Sequence, residues 1–502
     1  MRKIFTCIVC LLAVSLCLSS CKKDEEKVQH QVVDSQQPAE PITYPAGGQL
    51  VEVLDSAAMT LDEFATQVSS SPLMQYSEAT MGEKSSLMKT GIQTLINARR
   101  PVMDAMFAKQ LGCGQMSKWQ IESYVFSYTS TTPNGEPIVL SARVTFPNNI
   151  VPATKHFLDS YTLSFHQFVY STSWVPSNGF TLMSMRSLYN SAVIEPDEQG
   201  QGIDNGVHSA CHMSMDIRAR QMSDCVMAAI EVMKRHSVAL SDEGYSTNWG
   251  SSLAAPAAFA FAHYYDVNAT QAERDAIRLK STFAAHGPYD YSGLMSYMDA
   301  HSELLGVVTL GMFGIGALNS QQMYGYSASD FVADWMNNTT VTSGGKDYSF
   351  LNAAAYMLDE YLDVYFKKMA ECQNLSAILA KDMMLDSVHL DFNSEKTKAF
   401  LKILYEQSNI DTWQPTTDVY MSHGEEDEVT PYSFVYDLYN KYVSAGGSAR
   451  QKIHWLKAKP YTNMLDGVES MASTKVHLTL SIEAMVWMVL APEPKDMAMF
   501  YN

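Results

Sequence analysis

The stretch 242–252 reads DEGYSTNWGSS. Within it, Gly244-Tyr245-Ser246 matches the opening of G-x-S-x-G, the pattern that sets a serine on a sharp bend between a strand and a helix. The fifth position is Asn248 rather than glycine. Asparagine tolerates left-handed backbone angles better than most residues, but its side chain crowds such a turn, and Gly250 stands two residues too late to restore the spacing. A serine hydroxyl attacks a carbonyl only when a base takes its proton. That base is usually a histidine oriented by a carboxylate, and the oxyanion that forms needs fixed N–H donors. Downstream, MSHGEEDEVTPY carries Asp427 among Glu425, Glu426 and Glu428, and STKVHLTL carries His477. Each residue alone has a plainer reading: a loop serine, a solvated acidic turn, a structural histidine. Together they run serine, acid, histidine, each after a predicted strand, which is the set that acyl transfer through a covalent intermediate requires.

The elements that must position them follow from periodicity and turn chemistry. IESYVFSYTST and PIVLSARVTFP alternate around TPNGE, a hairpin signal because Asn-Gly readily adopts positive φ. KHFLDSYTLSFH and SAVIEP are further strands, and MSDCVMAAIEVMKRH has helical spacing. SVALSDEGYS reads as a strand entering the turn at Ser246, and GSSLAAPAAFAFAHYY as a small-residue helix leaving it. KSTFAAHGPYD, DVYMSHGEEDEV and QKIHWLKA continue the strands, with YSFVYDLYNKYVSAGG and STKVHLTLSIEAMVWMVLA as helices. Such alternation predicts an α/β fold around a largely parallel sheet. Residues 291–410 break it with helical, Met- and aromatic-rich runs, read as a helical cap between two strands or, alternatively, as a helical layer of the core. The expected organisation is a leader over 1–20, a tether over 21–50, a helical extension over 51–118, a core in two parts (119–290 and 411–502), and the inserted cap.

On these motifs the region from about 120 to 490 resembles the α/β-hydrolases, specifically the secreted lipase and esterase branch. AVIEPDEQGQGIDNGVHSA looks like that branch's loop after an early strand, GYS like its elbow, AAHGPYD like the next strand and loop, and WQPTTDVYMSHGEEDEVTPY like the strand carrying the acid. The resemblance implies Ser246 as nucleophile, Asp427 as orienting acid and His477 as base. It also implies an oxyanion hole from the backbone N–H of Thr247 and the loop near His166 and Gln167. The family often has His-Gly there, so Gln167 departs from its pattern as Asn248 does. Asp197, Gly200 and Gly202 read as structural loop residues.

The N-terminus adds a second resemblance. MRK supplies positive charge, IFTCIVCLLAVSLCL an apolar run of about 15 residues, short for a membrane span, and LSSC resembles the lipobox of bacterial lipoproteins. It implies cleavage before Cys21 and lipid on its sulfur; an ordinary secretory signal is the alternative. KKDEEK, just after, is similar to the tether signal that sends some Gram-negative lipoproteins to the outer face of the outer membrane. Beyond it, Pro, Gln and Gly make a flexible tether. The remaining cysteines, Cys113, Cys211, Cys225 and Cys372, lack C-x-x-C spacing and argue against zinc or thioredoxin-like motifs. An extracytoplasmic setting permits disulfides, and buried free thiols are the alternative.

Composition narrows the function. With 502 residues and 46% hydrophobic content, the chain can bury a sizeable core. The 54 acidic residues against 35 basic ones discourage a nucleic-acid role, because phosphate backbones require a basic face, so nucleic acid is not an expected partner. The expectation is a lipid-anchored serine ester hydrolase that needs no metal or organic cofactor. Its substrate would be a small-molecule, lipid or acylated-glycan ester, and its membrane link the lipid on Cys21. The alternatives are a catalytically impaired surface lipoprotein that holds a glycan or lipid, favoured by Asn248 and Gln167, and a serine peptidase on the same fold.

Overall fold

The Asn134-Gly135 turn forms as its residues require. Gly135 takes φ +82° and its N–H donates to Thr132 O at 2.9 Å, joining two 13-residue strands, β2 (Trp119–Thr131) and β3 (Pro137–Asn149). The computed structural model describes residues 47–71, 74, 86–111, 119–149, 162–167, 175–211, 214–238, 244–289, 332–356, 358, 413–427, 430–459 and 475–501. The other strands are β1 (Leu50–Met59), β4 (Thr162–Gln167), β5 (Ser191–Pro196), β6 (Ser246–Ser251), β7 (Leu279–Ala285), β8 (Thr340–Ser343), β9 (Lys346–Ser349), β10 (Asp418–Gly424) and β11 (Ile453–Ala458). The principal helices are α1 (Leu61–Ser69), α2 (Ser86–Leu111), α3 (Met215–Arg235), α4 (Ala254–Val267), α5 (Gln271–Ile277), α6 (Tyr432–Ala445) and α7 (Lys475–Leu490).

Among the described residues, nine strands form one sheet in the order β1-β2-β3-β5-β4-β6-β7-β10-β11. The end containing β1, β2 and β3 is antiparallel, as is the β3–β5 pairing. From β5 onward every pairing is parallel. The chain places β5 on one side of β4 and β6 on the other, so the order reverses there. In open α/β sheets, ligands bind at the carboxyl ends of the strands at such a reversal.

β6 reads STNWGS, with no apolar alternation, yet all six residues are buried. Buried polar groups normally find partners, and most here do, Ser251 Oγ being the exception among the described residues. Ser246 Oγ donates to Ile277 O. Asn248 Nδ2 donates to Ala258 O at 2.6 Å, and Trp249 Nε1 donates to Thr247 Oγ1 at 2.9 Å. Small residues on α4 let it press onto this strand. A Cβ at Gly250 would stand 2.3 Å from Ala254 O and 2.8 Å from Ala258 Cβ, so no larger residue fits without displacing the helix.

The far end of α7 is clamped by Arg186, fully buried with its guanidinium 3.8 Å from the Trp249 ring centroid. It donates to Met488 O, to Ala491 O at 2.7 Å and to Pro492 O at 3.0 Å, and Tyr189 Oη donates to Leu490 O at 2.5 Å. A cation on the last carbonyls of a helix satisfies orphan acceptors and opposes the negative end of the dipole. Burial pushes this guanidinium down to about 9. The loop after β5 is tied to neighbouring elements: Asp197 accepts from Ser141 Oγ on β3 and from Ser177 N–H, and Gly200 and Gly202 take φ +85° and +57°.

Three expectations change. The strand expected to end at Ser246 begins there. The extension expected to be helical opens with β1, an edge strand pairing with β2, and becomes helical only at α1. Within the segment expected to be a helical cap, the described part includes the antiparallel β8–β9 hairpin between helices Asp334–Asn338 and Phe350–Ala355. Cys211 and Cys225 are buried free thiols, pushed up by burial; Cys21, Cys113 and Cys372 lie outside the described residues. Among the described residues no helix is long and apolar enough to cross a membrane.

Candidate active site

Ser252 follows β6 and precedes α4 with φ +53°, a left-handed angle uncommon for a residue with a Cβ. The surrounding structure holds it there. Ser252 N–H donates to Ala285 O at 2.8 Å, and Ser252 O accepts from Ala255 N–H at 3.0 Å. On the other side of the turn, Arg218 Nη1 donates to Leu253 O at 3.0 Å, and Arg218 also pairs with buried Glu198. The sequence here is Gly250-Ser251-Ser252-Leu253-Ala254: G-x-S-x-A, with alanine where the pattern has its last glycine. A strained strand-to-helix turn with an outward serine is the nucleophile elbow.

His477 reaches Ser252 from the first turn of α7, with Nε2 to Oγ at 3.0 Å. Its Nδ1 lies 2.8 Å and 3.0 Å from the two Asp427 oxygens. A carboxylate only accepts, so Nδ1 carries the proton and donates, leaving Nε2 to accept from Ser252. Asp427 sits in the turn after β10, where Oδ1 accepts from Thr430 N–H at 2.8 Å. His423 staples that turn: its Nε2 donates to Thr430 O at 2.6 Å and lies 3.6 Å from Asp427 Oδ2. Burial favours the neutral acid, but the charge and hydrogen bond of His477, with His423 and the Thr430 N–H, outweigh it and hold Asp427 down to about 2. It is therefore an anion at neutral pH. Burial lowers His423 and, much further, His286.

Asp427 and His477 thus meet each other, but Ser246 does not meet them. It lies at the opposite end of β6, fully buried, its hydroxyl spent on Ile277 O. The serine at the histidine is Ser252, six positions on. The expectation for Thr247 fails with it, because Thr247 pairs within the ladder between Ser164 and Ser281. The N–H after the serine of the turn belongs to Leu253, at the start of α4. Gln167 ends β4 opposite Gly250, at the strand end beside the turn; residues 168–174 lie outside the described set. Asn248 is a structural residue of β6, not a member of the elbow. Of the competing acids, Glu425 pairs with Lys457 at the surface, and Glu428 lies outside the described residues. Arg218 behind the turn and Arg186 at the far end of α7 have no sequence signal of their own, whereas His423 under the acid stands in the His-Gly pair that ends β10.

No family model and no curated protein matches the sequence. Solved structures do match by shape. A ligand-bound form of the rice cell wall degrading esterase LipA from Xanthomonas oryzae superposes with a TM-score of 0.56 at 14% identity, covering 88% of this chain and 97% of LipA. A Legionella pneumophila protein assigned provisionally as a hydrolase gives 0.53 at 16% identity, covering 78% of this chain and 94% of its own. At such identities the likeness is one of fold. The strand order, the turn at Ser252 and these likenesses agree: the chain has the α/β-hydrolase fold.

Proposed function

We propose that the protein is a serine hydrolase of carboxylic esters, with Ser252 as nucleophile, His477 as base and Asp427 as orienting anion. The observation that carries the reading is the continuous relay from Ser252 Oγ through the His477 ring to Asp427, starting at a strained strand-to-helix turn. In the first step His477 Nε2 takes the Ser252 proton as Oγ bonds to the ester carbonyl carbon. The tetrahedral anion is held by the Leu253 N–H, with a second donor expected from the chain beyond Gln167. Its collapse breaks the C–O bond, and the proton on Nε2 goes to the leaving alcohol. Water, deprotonated by the same nitrogen, then attacks the acyl-enzyme, releasing the acid and restoring the Ser252 hydroxyl. None of these steps draws on a metal or organic cofactor.

The substrate proposed is a small-molecule, lipid or acylated-glycan ester, and the esterase named among the structural likenesses supports that class. Attachment to the bacterial outer membrane through lipid on Cys21 is proposed from the leader and LSSC alone. The reading as a binding protein with dead chemistry loses one of its two supports, because Asn248 is outside the turn. Turnover of p-nitrophenyl acetate, butyrate and octanoate by the purified protein tests the proposal. Hydrolysis abolished by Ser252→Ala is expected. A folded protein that turns over no ester of any chain length would overturn it.

A further inference from the structure

Beneath Asp427 lies a set of side chains the relay does not use. His286 follows β7 at φ +56°, its backbone N–H donating to Ser422 O at 2.8 Å. Its ring is fully buried, and neither Nδ1 nor Nε2 has a hydrogen-bond partner among the described residues. Its neighbour is His423, with ring centroids 5.7 Å apart. His423 is also fully buried; its Nε2 faces Thr430 O, and its Nδ1 has no partner among the described residues. One nitrogen from each imidazole and one Asp427 oxygen all lie within 4.8 Å of one another. Buried polar atoms are normally partnered, and an orphaned one calls for an explanation such as an ion. Two imidazoles and a carboxylate are the donor set that borderline divalent cations select, whereas Mg²⁺ and Ca²⁺ prefer shells made of oxygen.

We propose that His286, His423 and Asp427 form an inhibitory site for a divalent cation of the Zn²⁺ class. Zinc–ligand bonds of roughly 2.0–2.2 Å require the three donors to close on the ion. Coordination draws on Asp427 lone pairs and cancels its negative charge in front of His477 Nδ1, which it now meets at 2.8 Å. The imidazole then loses the anion that fixes its orientation and stabilises its charged form, so a bound ion silences Ser252 without touching it. The inhibitory half of this proposal rests on the hydrolase reading; the binding half does not.

The test titrates ZnSO₄ into the EDTA-stripped protein by calorimetry, with ester turnover measured in parallel. His286→Asn is the diagnostic variant, since asparagine tolerates positive φ and removes an imidazole. The wild type is expected to take up one more tight equivalent of Zn²⁺ than the variant. It should also show saturable inhibition reversed by EDTA, with Mg²⁺ and Ca²⁺ inert. The half-inhibitory Zn²⁺ concentration should rise at least tenfold in His286→Asn, each protein being referred to its own metal-free rate. Equal stoichiometry and equal inhibition in the two proteins would overturn the proposal, as would a folded wild type that binds no Zn²⁺. Site-specific binding in a protein without ester turnover would contradict the hydrolase reading alone; turnover without binding would contradict this one alone. If His286→Asn does not melt cooperatively, X-ray absorption of the wild-type zinc complex decides. A shell containing two imidazole nitrogens and a carboxylate oxygen supports the site, and any other shell overturns it.

Discussion

Ser252→Ala deletes the hydroxyl that meets His477 Nε2 at 3.0 Å, and ester turnover is expected to fall by about 10⁴-fold or more. Ser246→Ala deletes a hydroxyl bonded to Ile277 O. That variant should retain turnover and lose about 1 kcal/mol of stability, the scale of one buried hydrogen bond, measured by urea unfolding. At Asp427 the expectation concerns pH. Its folded value of about 2 lies below the ordinary 3.8, so the group stabilises the fold above about pH 4. That contribution, about 2 kcal/mol, is lost as pH falls from about 4 through 2. Asp427→Asn should remove this part of the acid limb in unfolding curves taken across that window, and should cut turnover by about 10⁴-fold through the wrong histidine tautomer. An acid limb unchanged by the substitution would contradict the assignment. Asp427 and His477 were legible in the sequence because each sits in a motif: an acid after a strand ending in His-Gly, a histidine opening the last helix. Ser252 was hidden by an incomplete pattern, G-x-S-x-A, competing with an equally incomplete GYSTN six residues earlier.

Among the elements, β6 explains why the sequence points to Ser246 instead of Ser252. Strand recognition looks for apolar runs or alternation, and STNWGS shows neither. It lies in the sheet interior because Ser246, Asn248 and Trp249 bond locally, to Ile277 O, Ala258 O and Thr247 Oγ1. SVAL, upstream, has the β-branched look of a strand and drew the reading six residues early. The helix held the better clue: the small-residue run begins at Ala254, and an elbow serine must stand just before its helix, as Ser252 does and Ser246 does not. Gly250 carries the mechanical consequence. Gly250→Val would drive a side chain into Ala254 O, 2.3 Å from the Cβ position, and lift the start of α4 away from β6. Turnover should drop at least 100-fold, because small misplacements at the reacting atoms are costly, with a stability loss of about 2–3 kcal/mol from overpacking. A Gly250→Val protein with wild-type turnover would show that the close approach of α4 does not set the serine.

The alternation of strands and helices was enough to identify an α/β fold with a mostly parallel sheet, because each strand of the large sheet after β5 is separated from the next by helical residues. The antiparallel end was legible through the Asn134-Gly135 turn. β1 was not, because the burial pattern of an exposed edge strand carries little apolar signal: most of its residues face solvent. The β8–β9 hairpin escaped notice for a similar reason, with Lys346 and Asp347 exposed on a four-residue strand. The proposed envelope attachment has its own test. Cys21→Ser is expected to move the protein from the membrane pellet to the soluble fraction of a Gram-negative host with turnover retained, read by fractionation and ester assay; a variant that stays in the pellet would contradict lipidation at Cys21. The most direct test of Ser252 as the nucleophile is reaction of the purified protein with a fluorophosphonate, followed by mass mapping of the labelled peptide. A single adduct on Ser252, absent from Ser252→Ala and unchanged in Ser246→Ala, is the predicted result. An adduct on another serine, or a folded protein that takes no label, would contradict it.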